Sequence, residues 1–536
     1  YGGLLIIKHK VENFEFYTLY GHNTVGSVLK NKIGAKIKKG DIIAEIANYP
    51  ENGNWAPHLH FQIMLSTLNY KIDFPGVCYY NQVEVWKDLC PNPNLLFKSV
   101  DLNYTNDKSD GELIEYRKKH LGKSLKLHYE EPINIVRGEG VYLISKNGRK
   151  YLDTINNVAH VGHENESVVI EGQNQMSILN TNSRYLHKSI NELAEEIIQT
   201  LPEKLSVIHF VNSGSEANEL AIRMMKSHTG SNDIIVSENG YHGNTNICVD
   251  ISSYKFDGNG GKGAPENTHV IPMPTKFNGK YKGENACKGY ISEIENSINN
   301  LKSKNRGLGG FIIEPIISCG GQVELPDGFL KTAYDLIRKN GGICISDEVQ
   351  VGCGRLGESF WGFELHDVIP DIITIGKPLG NGHPIGAVVC TSEIAESFAN
   401  GMEFFNTFGG NPVSCSIATQ VLKVVKNENL QKNAKTIGNY FKKELKNLSG
   451  KHDIIGDVRG QGLFLGIEFI DHKMNPLFKE AKYIVNRLKN FGILASLDGP
   501  SNNVIKIKPP LIFNKDNCDT FIFYLHKILD EDFLNK

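Results

Sequence analysis

The chain has 536 residues, 40% of them hydrophobic and 22% charged, with 53 glycines and a formal net charge of −2. It is too long for one ordinary domain and too apolar for extended disorder, and its interspersed acids and bases argue against nucleic acid and for small-molecule chemistry. No run approaches the ~20 apolar residues of a membrane helix, and ten cysteines from Cys78 to Cys518 without a C-x-x-C pair read as reduced thiols of a cytoplasmic protein.

In chain order, residues 1–70 read as a small all-β module: Gly3-Leu4-Leu5-Ile6-Ile7, then Tyr17 to Tyr20, then Asp41 to Ile46, with Gly and Asn between them. The chain opens at Tyr1 inside the first of these patterns, so sequence upstream of it is expected to be missing. Residues 71–110 lose periodicity and collect Pro75, Pro91 and Pro93, as a linker does. From 111 to 536, helical patterns such as Ile190 to Leu201 alternate with β-rich runs at Phe311 to Ile313, Ile343 to Ile345 and Ile372 to Ile375. That alternation predicts an α/β unit with a mostly parallel sheet covered by helices.

Three segments of this unit carry chemistry. Asn212-Ser213-Gly214-Ser215-Glu216-Ala217-Asn218 lies between an apolar strand pattern and a helical one, so it is a strand, a Gly turn and a helix start. Ser213 and Glu216 fit a capping box, and Gly214 allows backbone amides to approach an anion closely. The second is Ile343-Cys344-Ile345-Ser346-Asp347-Glu348, a buried-looking strand ending in carboxylates, and ends of parallel strands are where α/β folds place ligands. The third ends another strand in Gly376-Lys377-Pro378. Singly, each has an ordinary structural reading: a cap, a solvated acid, a turn lysine. Together they supply what pyridoxal phosphate requires, namely a phosphate anchor, a lysine for its aldehyde and an acid for its ring nitrogen. A carboxylate beside that nitrogen favours its protonated form by about 1 to 3 pKa units. Asp347 has that role and Lys377 is both tether and base.

These motifs, with Ser346-Asp347-Glu348-Val349-Gln350 and the spacing to Gly376-Lys377, resemble the signature of class III aminotransferases over about residues 111 to 536. The resemblance implies fold type I, a smaller C-terminal subdomain and pyridoxal 5'-phosphate as cofactor. It also implies that Asp347 pairs with the pyridine nitrogen, Val349 packs on the ring and Gln350 contacts the ring hydroxyl. Gly214 and Ser215 take the phosphate, and Tyr241, in Tyr241-His242-Gly243, stacks on the cofactor. Thr407, in Asn406-Thr407-Phe408-Gly409-Gly410-Asn411-Pro412, reaches the phosphate of a neighbouring subunit, implying a homodimer with a shared site. Further stretches, among them Gly376 to Pro384 and Asn503 to Pro510, resemble the subgroup of alanine-glyoxylate aminotransferase-like proteins and phospho-lyases acting on ethanolamine phosphate and phosphohydroxylysine. Many class III transaminases have an arginine where Lys506 stands. A lysine is a point charge and no equivalent of that bidentate fork, so Lys506, with Lys508 beside it, suits a substrate phosphate. The expected substrate is therefore a small primary amine, taken by a phospho-lyase or a transaminase.

In the amino-terminal module, Tyr20-Gly21-His22-Asn23 and Pro57-His58-Leu59-His60-Phe61 resemble the second half of a lysostaphin-like zinc metallopeptidase. The resemblance makes His60 a zinc ligand and His58 and His22 catalytic. The remaining ligands would precede Tyr1, and one imidazole cannot hold zinc where a catalytic site needs about three protein ligands. The module is expected to be inactive or truncated; the alternative is a cell-wall zinc metallopeptidase carrying the larger domain as passenger.

Overall fold

The computed structural model describes residues 2–12, 14–68, 70, 73–79, 82–97 and 108–534. Tyr1 and, in the expected linker, residues 71–72, 80–81 and 98–107 lie outside the described residues. The chain divides into two units, Tyr1–Gly138 with Tyr142–Tyr151, and Glu139–Val141 with Leu152–Lys536.

The first unit is built on an antiparallel sheet in which Phe14–Asn23 lies between Gly3–Val11 and His60–Met64. Leu19 and Met64 from this sheet are buried with Phe74 and Leu89, against the flank of Trp86 in the helix Val83–Leu89. The sequence pattern placed a strand at Asp41 to Ile46; the structure does not. Only Ile46 makes a β-bridge, to Asn23. Ile42 is 90% exposed, so this apolar run has no buried face to hold it in a ladder, and His60–Met64 takes the third place instead.

In the second unit a seven-stranded sheet runs in the order Val207–Val211, Gly386–Cys390, Ile372–Ile375, Ile343–Asp347, Leu308–Ile313, Asp233–Ser237, Thr268–Ile271. Gly386–Cys390 is antiparallel to both neighbours, while the other neighbouring pairs are parallel. The central strands are buried along their whole length, which is why they read as unbroken apolar runs. Alternation divides them between two cores: Phe311, Ile313 and Cys344 pack on one face with Tyr290 and Phe329, and Ile312, Ile343 and Ile345 pack on the other with Ala221 and Met225. The predicted helix from Ile190 to Leu201 spans Lys188–Ile198; Pro202 disfavours helical backbone at the residue before it. A smaller C-terminal subdomain has an antiparallel sheet ordered Ile455–Gln461, Phe464–Phe469, Val504–Ile507, Ser496–Asp498, with the helices Leu430–Ser449, Phe478–Asn490 and Lys515–Leu529. Among the described residues no helix is long and apolar enough to cross a membrane.

Candidate active site

Asp347 is the last residue of its strand and is paired with Thr374 on the neighbouring parallel strand. Lys377 opens a 3-10 turn two residues past the end of that neighbour. Parallel pairing therefore brings an acid and a lysine thirty residues apart in sequence to one edge of the sheet. On the same edge, Val207–Val211 leads into the helix Gly214–Thr229. Ser213 Oγ accepts from the backbone N–H of Glu216 at 3.1 Å. The reciprocal half of the expected capping box is displaced by one residue: the Glu216 carboxylate accepts from the backbone and side chain of Asn212, at 2.9 and 3.0 Å.

These elements enclose a cavity of about 300 Å³ lined by Gly214, Ser215, Tyr241, Asp347, Val349, Gln350 and Lys377. Its floor leaves no room for larger residues at two glycines. A Cβ on Gly214 would stand 2.7 Å from Val349 Cγ1, and one on Gly243, whose φ is +134°, 2.6 Å from Ser215 Oγ. The first turn of the helix brings backbone N–H groups that have no acceptor within the helix.

Asp347 is almost wholly buried, and its carboxylate is saturated with donors. His242 Nδ1 lies 2.8 Å away, Asn218 Nδ2 2.8 Å and the Val349 N–H 3.1 Å. Because a carboxylate only accepts, His242 carries a proton on Nδ1. Among the described residues its Nε2 is buried without a hydrogen-bond partner, as is Asn218 Oδ1. Glu314, just beyond Leu308–Ile313, has its carboxyl raised to about 7 by burial and then by the charge of Asp347; it accepts from the Ser318 hydroxyl. Gln350 is fixed on both sides of its amide: Oε1 accepts from Asn157 at 3.0 Å and from Lys508 at 2.9 Å, and Nε2 donates to Ser318 at 2.9 Å. Burial pushes the Tyr241 hydroxyl up to about 12.

Lys506, Lys508 and Thr407, all expected at the site, are not among the residues lining this cavity. Lys506 is half-buried and forms a 2.9 Å ion pair with Asp498. Thr407 is exposed, next to Asn406, whose amide bonds to Glu216 and Asn212 and thereby ties the loop to the helix start. In the first unit, the His60 ring centroid is 5.6 Å from that of His22, which is 4.6 Å from that of His58. His22 Nδ1 meets the Asn52 carbonyl and His58 Nδ1 the Ala56 carbonyl, and burial followed by His22 lowers the pKa of His60. Sequence reasoning gave no role to His242, Asn218, Glu314 or Ser318. The first two stand inside motifs singled out for other residues, and Glu314 repeats the strand-end acid pattern of Asp347.

The cavity fits pyridoxal phosphate on its own terms. It offers a lysine, a buried carboxylate held by donors, an anion-compatible helix start and two glycines that keep side chains out of the space. The family model for aminotransferase class-III matches residues 126–529. A fruit fly (Drosophila melanogaster) relative, described as alanine–glyoxylate aminotransferase 2-like, is 44% identical over 81% of this chain and 90% of its own length. A Caenorhabditis elegans relative, ethanolamine-phosphate phospho-lyase homolog 1, is 37% identical over 79% of this chain and 94% of its own. Among solved structures, a phospholyase from Arthrobacter in complex with phosphoethanolamine is 35% identical, superimposes with a TM-score of 0.75, and covers 78% of this chain and 99% of its own. The chain belongs to the class III aminotransferase family and is a pyridoxal-phosphate-dependent enzyme of fold type I.

Proposed function

We propose that the chain is a phospho-lyase that releases phosphate and ammonia from a small phosphorylated amine such as ethanolamine phosphate. The observation that carries this reading is a lysine pair, Lys506 and Lys508, at the end of one strand, where a carboxylate-binding transaminase would present an arginine fork. The likeness to a phospholyase solved with phosphoethanolamine supports it.

In this reading Lys377 tethers the cofactor, Asp347 faces its ring nitrogen and Gln350 its ring hydroxyl. Val349 and Tyr241 take the two ring faces, and Gly214 and Ser215 take its phosphate. Bound pyridoxal phosphate supplies an electron sink for the pair left when the carbon beside the substrate amine loses a proton. Asp347, oriented by His242, Asn218 and the Val349 N–H, stabilises positive charge at the sink. With the cofactor bound, Lys377 would be the base that removes that proton. The electron pair then expels phosphate from the adjacent carbon. With one water, ethanolamine phosphate gives acetaldehyde, ammonia and inorganic phosphate.

A transaminase reading draws on the relative described as alanine–glyoxylate aminotransferase 2-like. The two part on products. Holoenzyme incubated with ethanolamine phosphate, and separately with amino donors plus pyruvate or glyoxylate, releases phosphate in the first case if it is a lyase. It yields a new amino acid without phosphate release if it is a transaminase.

The site assignment carries further readings. Thr407, exposed beside the anchored Asn406, completes the phosphate site of a second copy, making the enzyme a homodimer. Residues 1–70 form a partial peptidase-like module joined through 71–110 to the enzyme at 111–536, with His60 as a zinc ligand. Among the described residues His60 belongs to no group of three possible metal ligands, so this chain is read as leaving cell-wall peptide cross-links intact even when zinc is supplied; cleavage lost on His60→Ala would contradict this. The ten cysteines are all free, which supports a reducing compartment, the cytoplasm.

A further inference from the structure

Away from the active site, the described residues contain one group of three side chains arranged as metal ligands: His452, His526 and Asp530, each offering one ligand atom within 4.8 Å of the others. None of the three lines the cavity that fits the cofactor. Two come from one helix end. His526 lies in the last turn of Lys515–Leu529 and Asp530 is that helix's C-cap, four residues on, so both point from one face. The third comes from the segment between the helix Leu430–Ser449 and the strand Ile455–Gln461, where the His452 carbonyl accepts from the Ile455 N–H at 3.0 Å. The two helices pack through Phe441 and Phe521, whose ring centroids are 5.4 Å apart, and this packing assembles the trio.

The separations suit ligands of one ion better than partners of one another. His452 Nε2 and His526 Nε2 are 3.9 and 3.7 Å from the Asp530 carboxylate, on different oxygens, whereas hydrogen bonds to nitrogen need about 2.7 to 3.2 Å. Two ligands bound to a tetrahedral zinc at about 2.0 to 2.2 Å stand about 3.4 Å apart, so a shift of a few tenths of an ångström brings both pairs onto one ion. His526 and Asp530, with side chains 44% and 65% exposed, are free to make it, and their open side admits water as a further ligand. An ordinary surface pair accounts for those two residues and leaves His452 unexplained. Its side chain is only 12% exposed, and among the described residues its Nε2 is buried without a hydrogen-bond partner, a cost that a metal bond removes. Burial lowers the pKa of His452 against the opposing pull of Asp530, which favours the neutral imidazole that coordinates metals. An acid at a helix C-cap also faces the negative end of the helix dipole, and a cation held there turns that repulsion into attraction.

We propose that His452, His526 and Asp530 form a binding site for a divalent transition-metal ion of the zinc type, which clasps the end of the C-terminal helix to the turn leading into Ile455–Gln461, the edge strand of the C-terminal subdomain's sheet. Two imidazoles and one carboxylate suit zinc, copper or nickel, whereas magnesium and calcium take oxygen ligands. The ion takes no part in the reaction at Lys377. It stabilises the folded enzyme by mass action, because the unfolded chain does not hold the three donors together.

The test uses full-length holoenzyme stripped with EDTA, as wild type, His526→Asn, Asp530→Asn and His60→Ala, the last because the imidazoles of the first unit are the competing place for zinc. Zinc chloride is expected to bind in calorimetry and to raise the unfolding temperature by a few degrees in wild type and His60→Ala alike, reversibly with EDTA and without a response to magnesium. His526→Asn should weaken zinc binding by at least the about tenfold to hundredfold that loss of an outer-shell partner costs, and abolish the thermal shift. Asp530→Asn keeps the shape, removes the charge and should weaken binding in the same direction. Both substitutions lie at accessible positions, and wild-type cofactor absorbance in each variant shows that the fold is intact. Cobalt(II) in place of zinc is expected to give a visible d–d band that requires His526, a signature that a purely structural histidine does not produce. Zinc binding unchanged in both His526→Asn and Asp530→Asn, or lost only in His60→Ala, would overturn the proposal, as would a wild type that zinc neither binds nor stabilises.

Discussion

Asp347, which lines the cavity, and Lys508, which stands behind the cavity-lining Gln350, are both buried charged residues, yet their surroundings differ in kind. Asp347 receives hydrogen bonds from His242, Asn218 and the Val349 N–H, so its charge is oriented and satisfied before any ligand arrives. Lys508 has a neutral amide as its partner and, among the described residues, no carboxylate within ion-pair distance. The first arrangement suits a group that meets the same cofactor at every turnover, where preorganisation removes a reorganisation cost. The second suits a group whose counter-charge enters and leaves with each substrate molecule.

Breaking the cofactor end has the largest expected effect. Lys377→Ala abolishes turnover and the visible absorbance of the tethered cofactor while the circular dichroism stays that of the wild type, because the lysine is both tether and base. Turnover at the wild-type rate in this variant would remove the assignment. Thr407→Ala should also inactivate, through the neighbouring subunit. Mixing inactive Thr407→Ala and Lys377→Ala homodimers then restores activity once subunits exchange, since one site of each hybrid receives both intact residues. Demonstrated exchange without recovery would count against the shared site.

At the substrate end the effects are smaller. Lys506→Ala leaves Asp498 without its partner in the subsite and should weaken use of ethanolamine phosphate by roughly 1.5 kcal/mol, about tenfold. Steady-state KM reports it, and a loss confined to carboxylate-bearing donors would favour the transaminase. The pH profile is gentler still. Lys508, lowered to about 8 and facing Lys506, Lys377, Asp498 and Cys319, is charged below that pH and neutral above it. Affinity for inorganic phosphate is therefore expected to fall by about tenfold per pH unit above 8 in the wild type, and this fall should be absent in Lys508→Met. Identical alkaline limbs in both would assign the titration elsewhere.

The cofactor end was legible in the sequence because its signal is local. Unbroken apolar runs mark strands buried on both faces, and although one charged residue at the end of such a run has an ordinary structural reading, two on neighbouring runs beside a Gly turn do not share one. Asp347 and Lys377 both have that pattern. The Asp347–His242 contact joins residues 105 apart, and the Lys508–Gln350 contact joins residues 158 apart. No periodicity carries such pairings; only the register of the sheets produces them. The displaced cap at Asn212 and Glu216 shows the same limit at short range, since the motif fits two donors one residue apart and packing chooses between them. In the first unit, the apolar run from Asp41 to Ile46 read like a strand, but strand formation needs a partner and a buried face, and His60–Met64 had both.

The central claim is that the electron pair left on the substrate carbon when Lys377 removes its proton forms a double bond to the adjacent carbon, while phosphate departs with the C–O bonding pair. Holoenzyme supplied with ethanolamine phosphate alone, with no keto acid, measures it directly through the phosphate, ammonia and acetaldehyde formed over many turnovers. The account predicts all three in equal amounts, in excess over enzyme. Transfer of the amino group to added glyoxylate or pyruvate with no phosphate released would contradict it.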